Sequence, residues 1–436
     1  MRVLFTTWAW PSHYFPMVPL AWAFRAAGHD VLMTSQPALV PTMVRSGLPM
    51  LPVGRDLDVM ESYRVASQDG GAAIRARRPG RSMSDRLAAG GTSKPESLRA
   101  QALLALRDLE ANAQAVFWRL GQPGPGASAI NTSLHGDIAE AMLDDLLEAA
   151  RSWGPDLVVF DPYSYAGPLV AARIGVPAVR NLFGPDVAYF GLAGEMQRMR
   201  PFFDRLGVDQ PDLLGVASVD PCPAGVQFSG ELVPTSRIRM RYVPYGGLSE
   251  VPSWLGRTPD RPRICLTWGT STHLMLGEQA SLWAEMLAGC AKLASERDAE
   301  LVVAITAGQR SLLPDPPDGV RVAESVPLHA LLPTCDAVIH QGGAGTMLTA
   351  LLHGLPQMVL TQLPDQAVNA LNLVAAGAGR TALARGLDAS SVLAAGHDLL
   401  EDPAYRAGAQ RLRQEMLDQP SPAEVVEQLV TLARGT

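Results

Sequence analysis

Cysteine is scarce in this chain, and its four copies stand apart. Cys222, Cys265, Cys290 and Cys335 form no CxxC pair, and none lies at zinc-ligand spacing from a histidine. In 436 residues that pattern argues against a disulfide framework and fits thiols kept in a reducing cytoplasm. Long apolar runs are missing as well. No stretch approaches the ~20 residues that a membrane-spanning helix needs. The opening run Met1–Thr7 is too short for a secretory signal core and has no small-residue cleavage site. An excess of positive charge is also absent, with 36 basic against 43 acidic residues and a net charge of -7. Neither nucleic acid nor an anionic membrane is favoured as the main partner. No DxD-type carboxylate pair stands in a credible cation-binding context.

What is present is ample apolar material, 47% of the chain, enough for two or three domains at roughly 100–200 residues each. The chain opens as strand, helix, strand. Residues 2–7 read as a buried strand. Val18, Leu20, Ala21, Phe24 and Ala27 mark one face of a helix from about Phe15, which Gly28 can end. His29–Ser35 reads as the next strand. This βαβ start predicts a parallel, doubly wound sheet. Further strands are expected at Asp156–Phe160, Ala178–Leu182 and Arg239–Pro244, with helices near 95–120 and 136–153. Pro244–Pro262, rich in Pro and Gly, reads as a linker. The alternation then restarts, with strands at Ile264–Trp268, Leu301–Ile305, Val320–Ala323, Ala337–His340 and Gln357–Thr361. Residues 70–95 break the pattern with Gly70, Gly71, Gly80, Gly90 and Gly91 among six basic residues. They read as a mobile loop, and an acceptor lid, a partner contact and a functionless insertion all stay open.

The most informative segment is DAVIHQGGAGTMLTALLHGLPQMVLTQLPDQAVN, residues 336–369. A buried strand ends at His340, a turn carries Gly342, Gly343 and Gly345, and a helix begins near Thr346. Free N–H groups at a helix start, together with the helix dipole, make an anion site, and glycines let the backbone come close to a phosphate. The spacing is neither GxGxxG nor GxxxxGK[ST], so dinucleotide and P-loop sites are not supported. A plain structural turn is the alternative.

His340-x-Gly342-Gly343-x-Gly345-Thr346, Gly354-x-Pro356-Gln357 and Asp365-Gln366-x-x-Asn369 together resemble the donor signature of inverting GT-B glycosyltransferases. The segments Val18 to His29 and Met240 to Tyr245 resemble the actinomycete branch that glycosylates macrolides and anthracyclines. The likeness covers nearly the whole chain apart from the 70–95 loop. It implies an α/β GT-B architecture of two Rossmann-like domains facing across a cleft. Residues 1–246 would bind the acceptor, 247–261 would link, 262–422 would bind the nucleotide sugar, and a last helix at 423–436 would cross back.

The resemblance also implies roles. His340, Gly342, Gly343, Gly345 and Thr346 would hold the diphosphate, with help from Thr270 and Ser271. Val326 and Pro327 would lie against the base, and Asp365 and Gln366 would bind sugar hydroxyls. His13 would be the catalytic base, oriented by Asp161. Read without the family, His13 is a structural histidine in a Pro-bounded turn, and Asp161-Pro162 is a helix start. Ser12 stands where many relatives have Gly. His273 is an extra histidine near the presumed phosphates, suited to phosphate contact, acid–base work or solvent. His135 and His353 read as structural or surface residues. The implied reaction moves a deoxysugar from a dTDP-sugar co-substrate, with no cofactor and no metal, to a hydroxyl of a polyketide aglycone. A GT-B nucleotide-sugar epimerase and a non-catalytic nucleotide-sugar-binding helper are the competing classes. A homodimer and a need for an auxiliary protein stay open.

Overall fold

The computed structural model describes residues 1–58, 128–270, 283–361, 364–383 and 387–435. The expected loop 70–95 and the helix near 95–120 lie outside the described residues. So do Ser271 and His273.

Two parallel sheets organise the chain. The first contains β1 (Arg2–Thr6), β2 (Asp30–Ser35), β3 (Met50–Pro52), β4 (Leu157–Phe160), β5 (Ala178–Asn181), β6 (Ala217–Asp220) and β7 (Arg237–Arg239). Its order is β3-β2-β1-β4-β5-β6-β7. The second contains β8 (Arg263–Thr267), β9 (Glu300–Ile305), β10 (Val320–Glu324), β11 (Ala337–His340), β12 (Gln357–Thr361) and β13 (Gly379–Leu383), in the order β10-β9-β8-β11-β12-β13. Helices cover both faces of each sheet, which is why the central strands read as unbroken apolar runs. In β4, Leu157, Val158, Val159 and Phe160 are all fully buried.

Both sheets reverse direction at their centre. The chain builds outward from β1 to β3, then returns to lay β4 against β1, pairing Thr6 with Phe160. It repeats this with β8 to β10 and then β11 against β8, pairing His340 with Thr267. Loops leaving adjacent strands in opposite directions open a crevice at their carboxyl ends. The two sheets therefore each carry one such crevice, and the residues at its mouth come from β1 and β4 or from β8 and β11.

Several elements depart from the pattern in the sequence. The last strand of the first sheet is Arg237–Arg239, not Arg239–Pro244. The ladder lasts one further bond, from Met240 N–H to the Asp220 carbonyl, and then Arg241 N–H turns to the Pro420 carbonyl instead. The chain leaves the sheet there to reach the second half. Strands β3, β6 and β13 carry no strong sequence signal, because Pro52, Ser218 with Asp220, and Gly379 interrupt the apolar run. The helix near 136–153 begins earlier and spans Ser128–Trp153.

An apolar seam joins the halves. Cys222 and Val226 of the first pack with Ala370, Leu373, Leu412 and Met416 of the second. Asn372 Nδ2 donates to the Val226 carbonyl at 3.0 Å, and Gln419 Nε2 to the Cys222 carbonyl at 2.7 Å. The helix Pro422–Gly435 then lies on the first sheet's layer, where Val425, Val426 and Leu429 share a core with Val18, Ala21 and Phe24. Among the described residues no helix is long and apolar enough to cross a membrane.

Leu429 is fully buried in this returning helix. Leu429→Ala leaves a cavity there and is expected to lower unfolding free energy by about 2–5 kcal/mol, read from denaturant titration. An unchanged midpoint would mean that the helix contributes nothing to the first half's core.

Candidate active site

The first half supplies a histidine and a carboxylate. After β1 the chain runs to the short helix Pro11–Tyr14, started by Pro11 and carrying His13 in its last turn. Asp161 follows β4, and its N–H bonds the Thr6 carbonyl at 3.1 Å, so the two loops leave the sheet side by side. His13 Nδ1 lies 2.8 Å from Asp161 Oδ2. Asp161 Oδ1 accepts the Tyr163 N–H at 3.0 Å, closing an Asx turn. Asp161 is thus not a helix cap; the next helix begins only at Ala166. An ionised carboxylate only accepts, so Nδ1 carries the hydrogen and Nε2 is left as the basic atom. Asp161 is fully buried, and the His13 side chain is 12% exposed. Trp8, Tyr163 and Phe183 surround the imidazole at centroid distances of 5.0, 5.8 and 4.4 Å. Trp8 in turn stacks on Trp10.

The second half supplies backbone donors. Gly342 has φ +99°, and a Cβ there would meet Val359 Cγ1 at 2.8 Å and the Gln366 carbonyl at 3.0 Å. Only glycine suits that turn. Asn369 Nδ2 braces it with a bond to the Gly342 carbonyl at 2.9 Å. The helix Ala344–Leu352 starts at Gly343 with no side-chain cap. The N–H groups of its first turn therefore have no partner within the helix and can serve an anion. Gly343, Gly345 and Thr346 line the cleft, as do Thr270, Val326, Pro327, Asp365 and Gln366. Burial pushes the Asp365 carboxyl above its usual value, while backbone hydrogen bonds and the charge of His13 pull it back. The carboxyl opens onto the cleft, whose walls strip away much of its water. Asp365 and His13 thus face each other from opposite halves.

His340 departs from the expected role as a donor to the ligand. The ring is fully buried, Nε2 lies 2.8 Å from Gln357 Oε1, and Nδ1 accepts the Gly342 N–H at 3.0 Å. Both nitrogens are spent inside the protein, so the ring shapes the glycine turn instead. Burial lowers its pKa to about 4 and keeps it neutral. His135, read from sequence as structural or surface, lies in the cleft wall. Ser271 and His273 are outside the described residues.

Sequence reasoning also missed residues. Trp8, Trp10, Phe183, Gln309 and Gln341 all line the cleft. The density of aromatics between Trp8 and Phe15, directly after a buried strand, was a signal for the first two. Phe183 comes from a loop without a local motif, and Gln309 from the 3-10 turn Ala307–Leu312, where its Oε1 accepts the Thr306 N–H at 2.9 Å in a capping box that says nothing of a cleft. Gln309 Nε2 donates to the Gly269 carbonyl at 2.6 Å and so holds the turn before Thr270.

The cleft encloses about 630 Å³ between the two sheets. Two doubly wound domains, with an uncapped helix start at a glycine turn on one and a histidine–carboxylate pair on the other, define a GT-B glycosyltransferase. The chain belongs to the Erythromycin biosynthesis protein CIII-like family, matching its N-terminal domain over residues 22–269 and its C-terminal domain over 289–432. It is 37% identical to 10-deoxymethynolide desosaminyltransferase of Streptomyces venezuelae, covering 99% of this chain and 97% of that one. It is 35% identical to TDP-daunosamine transferase DnrS of Streptomyces peucetius, at 99% and 97% coverage. Among solved structures, the glycosyltransferase VinC in complex with dTDP superposes with a TM-score of 0.76 at 29% identity, over all of both chains. Spinosyn rhamnosyltransferase SpnG with spinosyn aglycone gives 0.72 at 27% identity, over 98% of this chain and all of that one.

Neutral burial of His340 has a pH signature. Its folded pKa lies below the ordinary 6.5, so the unfolded chain takes up the proton first. Stability is retained above about pH 6.5 and falls as pH drops toward 4. That gap, at about 1.4 kcal/mol per unit, corresponds to about 3 kcal/mol. His340→Gln is expected to flatten the wild-type slope between pH 6.5 and 4 in denaturant titrations; parallel slopes would contradict the buried neutral ring.

Proposed function

We propose that this enzyme moves a deoxysugar from a dTDP-sugar to a hydroxyl of a polyketide aglycone, with inversion at the anomeric carbon. The observation that carries the reading is the facing of His13 and Asp365 across one cleft, with the uncapped helix start beside Asp365. Residues 1–246 would hold the aglycone against the aromatic wall around His13. Residues 262–422 would hold the donor, 247–261 would link the two, and the helix 423–436 would tie the donor half back. The relatives named above act on desosaminyl and TDP-daunosamine donors, which supports a dTDP-deoxysugar here.

On this reading His13 Nε2 takes the proton from the acceptor hydroxyl. The oxygen attacks the anomeric carbon from the face opposite the diphosphate, whose bond to that carbon breaks. Asp161 stabilises the imidazolium that forms. The N–H groups of Gly345 and Thr346, with the helix dipole, receive the charge of the departing diphosphate, and no metal is required. Gly343 and Thr270 would contact phosphate, Val326 and Pro327 the base, and Asp365 and Gln366 the sugar. The extensive aromatic wall gives an acceptor a place to lie, which an epimerase does not need.

Two measurements test this. Calorimetry without metal against dTDP, UDP, GDP and NAD should find dTDP bound most tightly; no nucleotide binding at all would remove the transferase reading. His13→Ala should lower the transfer rate about 100- to 10,000-fold with dTDP binding intact. Asp161→Asn, which keeps the shape but frees the ring to take the other tautomer, should also slow transfer. Near wild-type transfer by His13→Ala would overturn the assignment of the base.

A further inference from the structure

A second histidine–carboxylate pair stands in the same cleft wall. His135, on the helix Ser128–Trp153, reaches the cleft, and its Nδ1 lies 3.3 Å from Glu195 Oε1 on the helix Leu192–Leu206. Glu195 is only 3% exposed, and its other oxygen, Oε2, is buried with no hydrogen-bond partner among the described residues. A carboxylate so placed is costly to bury unless paired, and a wall that only packed apolar carbon would not need it. Because the carboxylate accepts, Nδ1 carries the hydrogen, and Nε2 is the ring's remaining polar atom. That atom has no hydrogen bond among the described residues and is not sealed from solvent. Tyr163 sits between the two histidines, stacked on His135 at 4.4 Å and 14°, and tilted against His13 at 5.8 Å.

We propose that His135, held by Glu195, determines acceptor specificity by hydrogen-bonding a second oxygen function of the aglycone, about one tyrosine ring away from the hydroxyl that His13 activates. The inference rests on the reading that the aglycone occupies this side of the cleft. His135 does not touch the reacting atoms; it is a positioning residue. Its carboxylate partner fixes the tautomer, as Asp161 does for His13, so the remaining nitrogen, at the cleft wall, accepts from an acceptor hydroxyl. Two such anchors on either side of one aromatic ring select an acceptor by the spacing of its oxygens, which apolar packing alone cannot do. A site with a buried polar group discriminates against an analogue that leaves the group unpaired.

The test uses the full-length enzyme, its best polyketide acceptor and a set of that acceptor's mono-deoxy analogues, each lacking one oxygen other than the reacting one. For wild type, one analogue should show a KM raised about 10-fold or more. His135→Phe keeps the ring stacked on Tyr163. It should raise the KM for the parent acceptor to that level, abolish discrimination against that analogue, and leave kcat and dTDP affinity within about threefold. A variant that still discriminates overturns the proposal, and the pair is then only a tie between two helices. If His135→Phe does not fold, the wild-type series decides: equal KM values across all analogues overturn it. A wild type that binds dTDP but shows no discrimination defeats this proposal alone, whereas one that binds no dTDP defeats the transferase reading as well.

Discussion

The bond from His13 Nδ1 to Asp161 Oδ2 joins residues 148 positions apart and decides what the first half can do. It sets the tautomer, points the basic nitrogen away from the carboxylate and gives a fully buried charge its partner. It exists because β1 and β4 pair in parallel and end together. Any slip in that register would move Asp161 along the sheet and leave both groups without their bond. The aromatic rings around His13 depend on the same frame, since Trp8 leaves β1, Tyr163 leaves β4 and Phe183 leaves β5.

The second half reaches a different chemistry through the same topology. The pairing of β8 with β11 brings the Gly269–Thr270 turn beside the Gly342–Thr346 turn. Here the useful groups are backbone N–H donors, so side chains serve to shape the turn. His340, Gln357 and Asn369 all act in this way, each bonding to the turn or to its bracing residue. An uncapped helix start thus stands on one side of the cleft, and an imidazole paired with a carboxylate on the other. The contact between halves keeps these two in one geometry. Tyr242, on the segment leaving the first sheet, bonds the Gly345 carbonyl at 3.2 Å, and Gly184 comes so close that a Cβ there would lie 2.6 Å from Ala344 Cβ.

How readily each part could be read from the sequence follows from the range of its determinants. The glycine turn was legible because its determinants are contiguous: a strand, a residue with positive φ and a helix start within a few positions. The doubly wound halves were legible because buried parallel strands are continuous apolar runs separated by helical periods. Strands β3, β6 and β13 were not, since their stability comes from neighbours across the sheet and not from their own composition. His340 shows the limit from the other direction. Its place in the motif was plain, but the direction of its ring depends on Gln357, 17 residues on, and that orientation gives it a bracing part.

Residue order was enough for the two α/β halves, the family and the position of the glycine turn, because local backbone preference and apolar periodicity act over short distances. Tertiary structure alone decided that His13 meets Asp161, that His135 meets Glu195 beside the same tyrosine, and that Asp365 looks back at His13. Those pairings join residues on separate strands, helices and domains. A hydrogen bond depends on distances of a few tenths of an ångström, and only the packed sheets and the seam between the halves supply that accuracy.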